Sequence, residues 1–265
     1  MNLSKEEITK KNKLYHDKIA SIYDLSQERN HPKVKELYTQ IFEEIFKNLD
    51  SSGSKKLEVL DIGCGTGGLE EFLNPFKNNI LGIDVSEEML KIAKKKYPKV
   101  TYKNIDIYGF KSTKKFDLIV GNAILHHLKD YEFCLEKLIK LLKPGGCIYF
   151  GHEPNYFVYK NFSSIISLYR KFVSDKRSVD LNVKGKLESL AEYHMYYSKG
   201  INPFKLGKFF EDNNFHKVRI RLSNREFIAS LEDRVGFKLI DYVPRIFLDC
   251  FGLFSRSFYL TAFKK

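Results

Sequence analysis

Tryptophan is absent from this chain, cysteine is scarce, and long apolar runs are missing. Each absence narrows the field. The four cysteines, Cys64, Cys134, Cys147 and Cys250, form no Cys-x-x-Cys pair and keep no Cys/His spacing suited to zinc, so no metal is expected. Scattered singly in apolar or glycine-rich surroundings, they read as reduced core thiols of an intracellular protein. No apolar stretch approaches about 20 residues, so no transmembrane helix is expected. The opening MNLSKEEITKKNKLYHDKIA is too charged for a signal peptide. Neither an internal repeat nor a low-complexity linker interrupts the chain. The expectation is a soluble cytoplasmic protein, with peripheral membrane contact left open.

What is present is a globular composition. With 265 residues, 43% hydrophobic and 29% charged, the chain can bury a full core as one domain with insertions, or as one domain and a cap. The formal net charge of +12 favours acidic partners such as nucleic acid, anionic lipid or a phosphorylated substrate. A solvated lysine-rich surface accounts for it equally well.

Residues 1–50 read as helices. Tyr15, Ile19, Ile22 and Tyr23 share one face, and Val34, Leu37, Tyr38, Ile41, Ile45 and Phe46 share another. Short apolar runs then recur at 57–62, 80–84, 100–104, 116–120 and 146–151, separated by turns or by helical patterns at 86–97 and 130–142. Strand–helix alternation at this spacing predicts an α/β fold with a parallel sheet covered on both faces. After 151 the pattern changes, and residues 152–200 are aromatic and basic, as in an inserted helical cap. A helix at 203–213, a strand at 215–222, an apolar helical stretch at 225–254 and a strand at 257–263 suggest a closing antiparallel hairpin with a long connection. The division implied is an N-terminal helical lid at 1–56, a core at 57–151, a cap at 152–208 and the remainder of the core at 209–265.

The sharpest local signal is VLDIGCGTGG at 59–68. A buried strand ends at Asp61, and glycines follow where backbone must turn tightly and approach a ligand without a Cβ in the way. Gly63, Gly65 and Gly68 also satisfy Gly-x-Gly-x-x-Gly, a fingerprint of dinucleotide sites that is weak alone. Asp61, two residues before the first glycine, and Gly67, which makes a Gly-x-Gly-x-Gly series, narrow the reading. Asp84 ends the next strand about 20 residues on, where a carboxylate can take both ribose hydroxyls of either cofactor type.

EVLDIGCGTG, GIDVSEEML, the stretch Asn104-Ile105-Asp106-Ile107, FDLIVGNAILHHL (116–128) and LLKPGG (141–146) follow in order. Together they resemble class I S-adenosylmethionine-dependent methyltransferases, strongly over 55–151 and in outline beyond. The resemblance implies a Rossmann-like, seven-stranded, mostly parallel sheet, with S-adenosylmethionine as cofactor and S-adenosylhomocysteine as product. It puts Gly63, Cys64 and Gly65 under the methionine part of the cofactor, with Asp61 behind them. Asp84 would bind the ribose, and Val85, Ser86 and Met89 would border the adenine. Asp106 would face the adenine amino group, Ile107 its ring, and Asn122 the donor methionine and substrate. Turn capping by Asp61 and helix packing by Met89 are the structural alternatives. YHDKIASIYD (15–24) is similar to a lid helix of small-molecule members, which makes Tyr15 and Tyr23 lid or core-packing residues.

A sulfonium methyl is already electrophilic and its thioether leaving group needs no proton, so alignment and exclusion of water are the main tasks. A thiolate or neutral amine acceptor needs no strong base, whereas a hydroxyl or carbon acid benefits from one. The candidate bases are His126 and His127 after the fourth strand, His152 and Glu153 after the fifth, and His194 in the cap. Tyr196 stands near His194 as a further wall of the substrate pocket. Loop capping and packing are the alternatives for each, and adjacent His126 and His127 cannot both point inward.

The acceptor expected is a small, lipid-like or natural-product molecule. Aromatic and basic residues crowd 156–171 and 239–260, as suits a hydrophobic pocket, a dimer contact, an interfacial helix or plain core packing. Similar tails occur in methyltransferases resembling the ubiquinone-biosynthesis type. Nucleic-acid methylation is the first rival, yet the Asn/Asp-Pro-Pro-Tyr/Phe tetrad that grips a flipped base is replaced here by GNAI (121–124). No Pro-Cys nucleophile and no RNA-binding module is present, which leaves a tRNA methyltransferase of another type as the alternative. A nicotinamide-dinucleotide oxidoreductase would not call for the Lys-Pro-Gly-Gly segment. A non-catalytic cofactor-binding partner is the third rival. Oligomeric state is not written in the sequence.

Overall fold

Near-continuous apolar runs in the strands point side chains alternately to both sides and so give one sheet two buried faces. The computed structural model describes residues 3–24, 31–50, 55–73, 78–161, 193–196, 200–223, 255 and 257–265. Two helices come first, α1 (Lys5–Tyr23) and α2 (Pro32–Leu49). Strand β1 (Glu58–Ile62), the short α3 (Glu70–Leu73), β2 (Asn79–Asp84), α4 (Glu87–Lys96), β3 (Thr101–Asn104) and β4 (Phe116–Asn122) follow. A 3₁₀ turn at Leu125–His127 leads to α5 (Tyr131–Leu141) and β5 (Leu142–Pro154). Beyond a single helical turn at Tyr193–Tyr196 come α6 (Pro203–Asp212), β6 (Phe215–Ser223) and β7 (Ser257–Lys264).

The strand order is β3-β2-β1-β4-β5-β7-β6. The first five strands are parallel, and β7 lies antiparallel between β5 and β6. The expected seven-stranded, mostly parallel sheet and the closing antiparallel pair are therefore both present. Leu60, Ile62, Ile119, Ile148 and Phe150 fill one face with Leu135 and Leu138 of α5 and Leu206 and Phe210 of α6. Val59, Leu118, Val120, Cys147 and Tyr149 fill the other against α2, whose Val34, Tyr38, Ile41, Phe42 and Ile45 are at most 2% exposed. Each such side chain contributes about 1.5–3 kcal/mol on burial, so α2 is held by its apolar stripe rather than by helix propensity.

Local chemistry sets the helix ends. Ser4 and Glu7 form a capping box at the start of α1, with Glu7 N donating to Ser4 Oγ and Ser4 N to Glu7 Oε2. Ser86 caps α4, whose first turn carries Glu87 and Glu88 and whose last carries Lys94, Lys95 and Lys96, as the helix dipole favours. Asn202 caps α6 with Pro203 in its first turn.

Two expectations change in detail. The fifth strand, read as 146–151, runs from Leu142 to Pro154, because β4 flanks it on one side and β7 pairs with it out to Pro154 on the other. On α1 the buried face is Ile8, Asn12, Tyr15 and Ala20, while Ile19, Ile22 and Tyr23 are only half-buried. That helix lies on the polar carboxyl edge of the sheet, so its inner face carries hydrogen-bonding groups. The apolar stretch at 225–254, most of the aromatic cap at 162–192, Cys250 and the side chain of Tyr196 lie outside the described residues. Cys64, Cys134 and Cys147 are buried and form no disulfide. Among the described residues no helix is long and apolar enough to cross a membrane.

Candidate functional site

The site is built at the carboxyl ends of β1 to β4 and roofed by α1. After β1 the chain turns through Gly63 (φ 63°), Gly65 (φ 54°) and Gly67 (φ 83°), left-handed conformations that favour glycine. Gly63 N and Cys64 N both donate to Ile83 O, at 2.8 and 3.1 Å. This locks the turn to β2. At Gly65 a Cβ would meet nothing within 4 Å, so bare backbone faces open space.

Asp84 stands at the end of β2, its Oδ2 accepting from Gly65 N (2.9 Å) and its Oδ1 from Ser86 N (2.8 Å). Burial raises its carboxyl to about 6, against the opposing pull of those amides. Past β3, Asp106 accepts from Thr9 Oγ1 (3.0 Å) and Tyr108 N (3.1 Å). Asn122 closes β4, and Tyr38 Oη of α2 donates to its Oδ1 at 2.7 Å. Asp61 is 1% exposed beneath the turn. Burial, together with the Glu70, Asp61 and Asp84 carboxylates, holds the Cys64 thiol well above its ordinary range, so it stays protonated.

Helix α1 is tied to the segment following each of four strands. Asp24 accepts from Thr66 Oγ1 at 2.6 Å past β1, and Asp17 from Ser86 Oγ at 2.6 Å past β2. Thr9 reaches Asp106 past β3, and Asn12 Nδ2 donates to His127 O (3.0 Å) past β4. Between this roof and the sheet edge lies a cavity of about 620 Å³, open mouth included. Thr9, Asn12, His16 and Tyr23 form its lid side. Gly63, Asp84, Val85, Asp106, Ile107, Asn122 and His127 form part of its floor. A smaller hollow of about 300 Å³ takes in Asp61, Cys64, Gly68, Tyr23 and Asn122.

The remaining sequence candidates fall elsewhere. Met89 is 1% exposed, and its amide serves the Ser86 cap. Tyr15 is buried against His16, at 5.1 Å between ring centroids. His126 and Glu153 lie beneath the pocket wall, and Glu153 takes the amides of Ile124, Leu125 and His126 as well as the His126 ring. His152 is outside the pocket lining and adopts φ 54°. Ala123 shares that φ, and its amide donates to Gly151 O at 2.8 Å. The residue after β4 and one near the end of β5 thus both adopt unusual backbone. His194 packs edge-on to Tyr131, ring centroids 5.2 Å apart.

Sequence reading missed Thr9, Asn12, His16, Asp17 and Tyr38. The signal was present in α1, where Thr9, Asn12, His16 and Tyr23 fall three, four and seven residues apart and make one polar stripe. Tyr38 sits among apolar neighbours, and its hydroxyl partner 84 positions away leaves no local trace.

The family profile for a methyltransferase domain matches residues 60–148. Over 138 residues the chain is 34% identical to an uncharacterized methyltransferase of Oceanobacillus iheyensis, covering 50% of this chain and 62% of that protein. It is 35% identical over 99 residues to a ubiquinone biosynthesis O-methyltransferase of Pelagibacter ubique, covering 36% and 41%. A malonyl-[acyl-carrier protein] O-methyltransferase of Priestia megaterium is 30% identical over 151 residues, covering 55% and 51%. The chain thus spans less than two-thirds of the length of each of these relatives. The plantazolicin methyltransferase BpumL, solved with S-adenosylhomocysteine, shares the fold over 98% of this chain and 97% of its own, with a TM-score of 0.57 at 21% identity. Residues 60–148 thus match a methyltransferase domain, and the chain's sequence relatives and its shared fold are those of methyltransferases.

Proposed function

We propose that the protein transfers the methyl group of S-adenosylmethionine to a small-molecule or natural-product acceptor. The observation that carries this reading is the roofed cavity, in which two carboxylates at the ends of adjacent strands face a bare-backbone glycine turn. The donor set suits an adenosyl ligand. Both Asp84 oxygens accept one amide each and retain lone pairs for ribose hydroxyls. Asp106 takes the adenine amino group, Ile107 covers its face, and Gly63, Cys64 and Gly65 border the methionine part. The name of the plantazolicin enzyme and those of the curated O-methyltransferases point the same way for the acceptor class. Residues 1–56 then serve as lid and 152–208 as substrate cap on a cofactor core at 57–151.

When bound, S-adenosylmethionine supplies a methyl on positively charged sulfur, and the departing thioether needs no proton. The chain's residues therefore bind, orient and exclude water. Asp84 and Asp106 fix the adenosine end, Asn122 is held by Tyr38 at the methionine end, and the α1 ties close the site.

The test is methyl transfer from labelled S-adenosylmethionine into a host-cell extract, with products split into small-molecule, lipid, RNA and protein fractions. Label in the small-molecule or lipid fraction, lost with Asp84→Ala, is the expected result. Label confined to RNA overturns the acceptor class, and no label beyond that of the Asp84→Ala control overturns the activity.

A further inference from the structure

We propose that Tyr38 is a positioning residue for the cofactor: its buried hydroxyl orients the Asn122 amide so that Nδ2 donates to the methionine carboxylate. The inference rests on the methyltransferase reading above. It goes further in assigning a residue that lies outside the pocket, and a polarity to the contact that this residue controls.

The place of Asn122 comes first. Half-buried at the end of β4, it lines both the larger cavity and the smaller hollow, as do Gly63 and Tyr23. Asp84 and Asp106 belong to the first space, Asp61 and Cys64 to the second. A ligand that spans the two passes Asn122 where its adenosyl and methionine parts join.

One arm of the amide is committed. Oδ1 accepts from Tyr38 Oη at 2.7 Å, and a Cβ on Gly151 would come within 2.8 Å of it, so packing encloses that side. Nδ2 makes no hydrogen bond among the described residues. The phenol is held in turn. Tyr38 is 1% exposed on α2, with its ring stacked on Phe72 of α3 (5.2 Å between centroids) and edge-on to Tyr259 of β7 (5.7 Å). Both are ring contacts, so Tyr38→Phe keeps the packing and deletes a single donor.

Charge decides what Nδ2 meets. An amide N–H bonds a lone pair, which a carboxylate has and an ammonium lacks. The base of the smaller hollow is acidic, since Asp61 and buried Glu70 both help push up the Cys64 thiol. That potential draws the methionine ammonium to the floor and turns the carboxylate towards the Asn122 wall. Backbone donors around the junction are already used. Gly63 N and Cys64 N donate to Ile83 O, Gly67 N to Cys64 O, Ala123 N to Gly151 O and Gly65 N to Asp84. Asn122 Nδ2 supplies the donor that these amides cannot. By bonding Oδ1, the Tyr38 hydroxyl opposes the flipped amide, which would set oxygen against the carboxylate.

The experiment measures two affinities by calorimetry, for S-adenosylhomocysteine and for 5′-methylthioadenosine, which lacks the amino-acid part. The proteins compared are the parent, Tyr38→Phe, Asn122→Ala, the double variant and Asn122→Asp. Tyr38→Phe should weaken S-adenosylhomocysteine about 5–10-fold and leave methylthioadenosine within about twofold, the effect of one lost hydrogen bond. The double variant should bind S-adenosylhomocysteine no more weakly than Asn122→Ala, because the hydroxyl acts through the amide. Asn122→Asp should bind it more weakly than Asn122→Ala, with carboxylate facing carboxylate. Equal losses for the two probes in Tyr38→Phe mark a packing role and overturn the proposal, as do additive losses in the double variant. Tighter binding by Asn122→Asp also overturns it, since an ammonium then faces that wall. Parent-like affinity in Tyr38→Phe removes the role of Tyr38 and leaves the methyltransferase reading standing. A parent that binds neither probe brings down that reading and this inference with it.

Discussion

Glu153 and His126 form an enclosed pair in which Glu153 Oε2 lies 2.8 Å from His126 Nδ1, the glutamate fully buried. The same carboxylate accepts from Ile124 N (2.9 Å), Leu125 N (2.8 Å) and His126 N (3.2 Å), so it caps the 3₁₀ turn that carries pocket-lining His127. Glu153→Ala leaves these donors without their acceptor. The expected cost is about 3 kcal/mol, or about 6–12 °C in Tm by calorimetry. Glu153→Gln keeps an acceptor oxygen and should lose less than half of that. A Tm for Glu153→Ala within about 2 °C of the parent would refute the capping role.

The lid makes a separate prediction. Asp17 receives the Ser86 hydroxyl at 2.6 Å and thereby joins α1 to the start of α4, beside Asp84. Asp17→Ala removes that tie and should weaken S-adenosylhomocysteine binding about 5–10-fold, the equivalent of about 1 kcal/mol. Calorimetric titration reads it directly, and an unchanged Kd would show that the tie contributes nothing to closure.

Asp84 carries a stability signature with an unusual sign. Its carboxyl is raised to about 6 in the folded protein, so the native state holds a proton that the unfolded chain has released. Stability therefore falls as pH rises from about 4 to about 6 and stays lower above that window. Asp84→Asn removes the penalty while removing the proposed ribose ligand. The variant should match the parent near pH 4, exceed it in Tm at pH 7 without cofactor, and fail to bind S-adenosylhomocysteine. A variant less stable than the parent at pH 7 would contradict the burial argument.

Asp117 is a control at the opposite end of β4. Although burial alone would raise its carboxyl, hydrogen bonds from Lys143 (2.7 Å), Lys55 (2.8 Å) and Glu58 N (2.9 Å) hold it below the ordinary value. Asp117→Asn should cost about 1–3 kcal/mol in denaturant unfolding at pH 7, with S-adenosylhomocysteine affinity unchanged. Its contribution is present above the ordinary carboxylate pKa and is lost on acidification. Weakened cofactor binding would mean that the two ends of the strand are coupled.

Much of this protein was legible as sequence because the determining physics is local. Short, near-continuous apolar runs specify β1, β2, β4 and β5, Ser86 and Asp130 announce helix starts, and a glycine turn followed by Asp84 announces an adenosyl-type site. The tertiary structure alone decided which side chains meet across long separations. Tyr38 finds Asn122 across 84 positions and Asn12 finds His127 across 115, contacts that no local pattern records. His16 is the sharpest case. In the sequence it is a polar residue beside Tyr15 in an amphipathic helix. It becomes a pocket residue because α1 lies across the polar edge of the sheet, where burial withdraws water from the imidazole and His126 and His127 stand close by. Helix propensity and capping follow from neighbours along the chain, whereas burial and charge proximity are properties of the assembled fold.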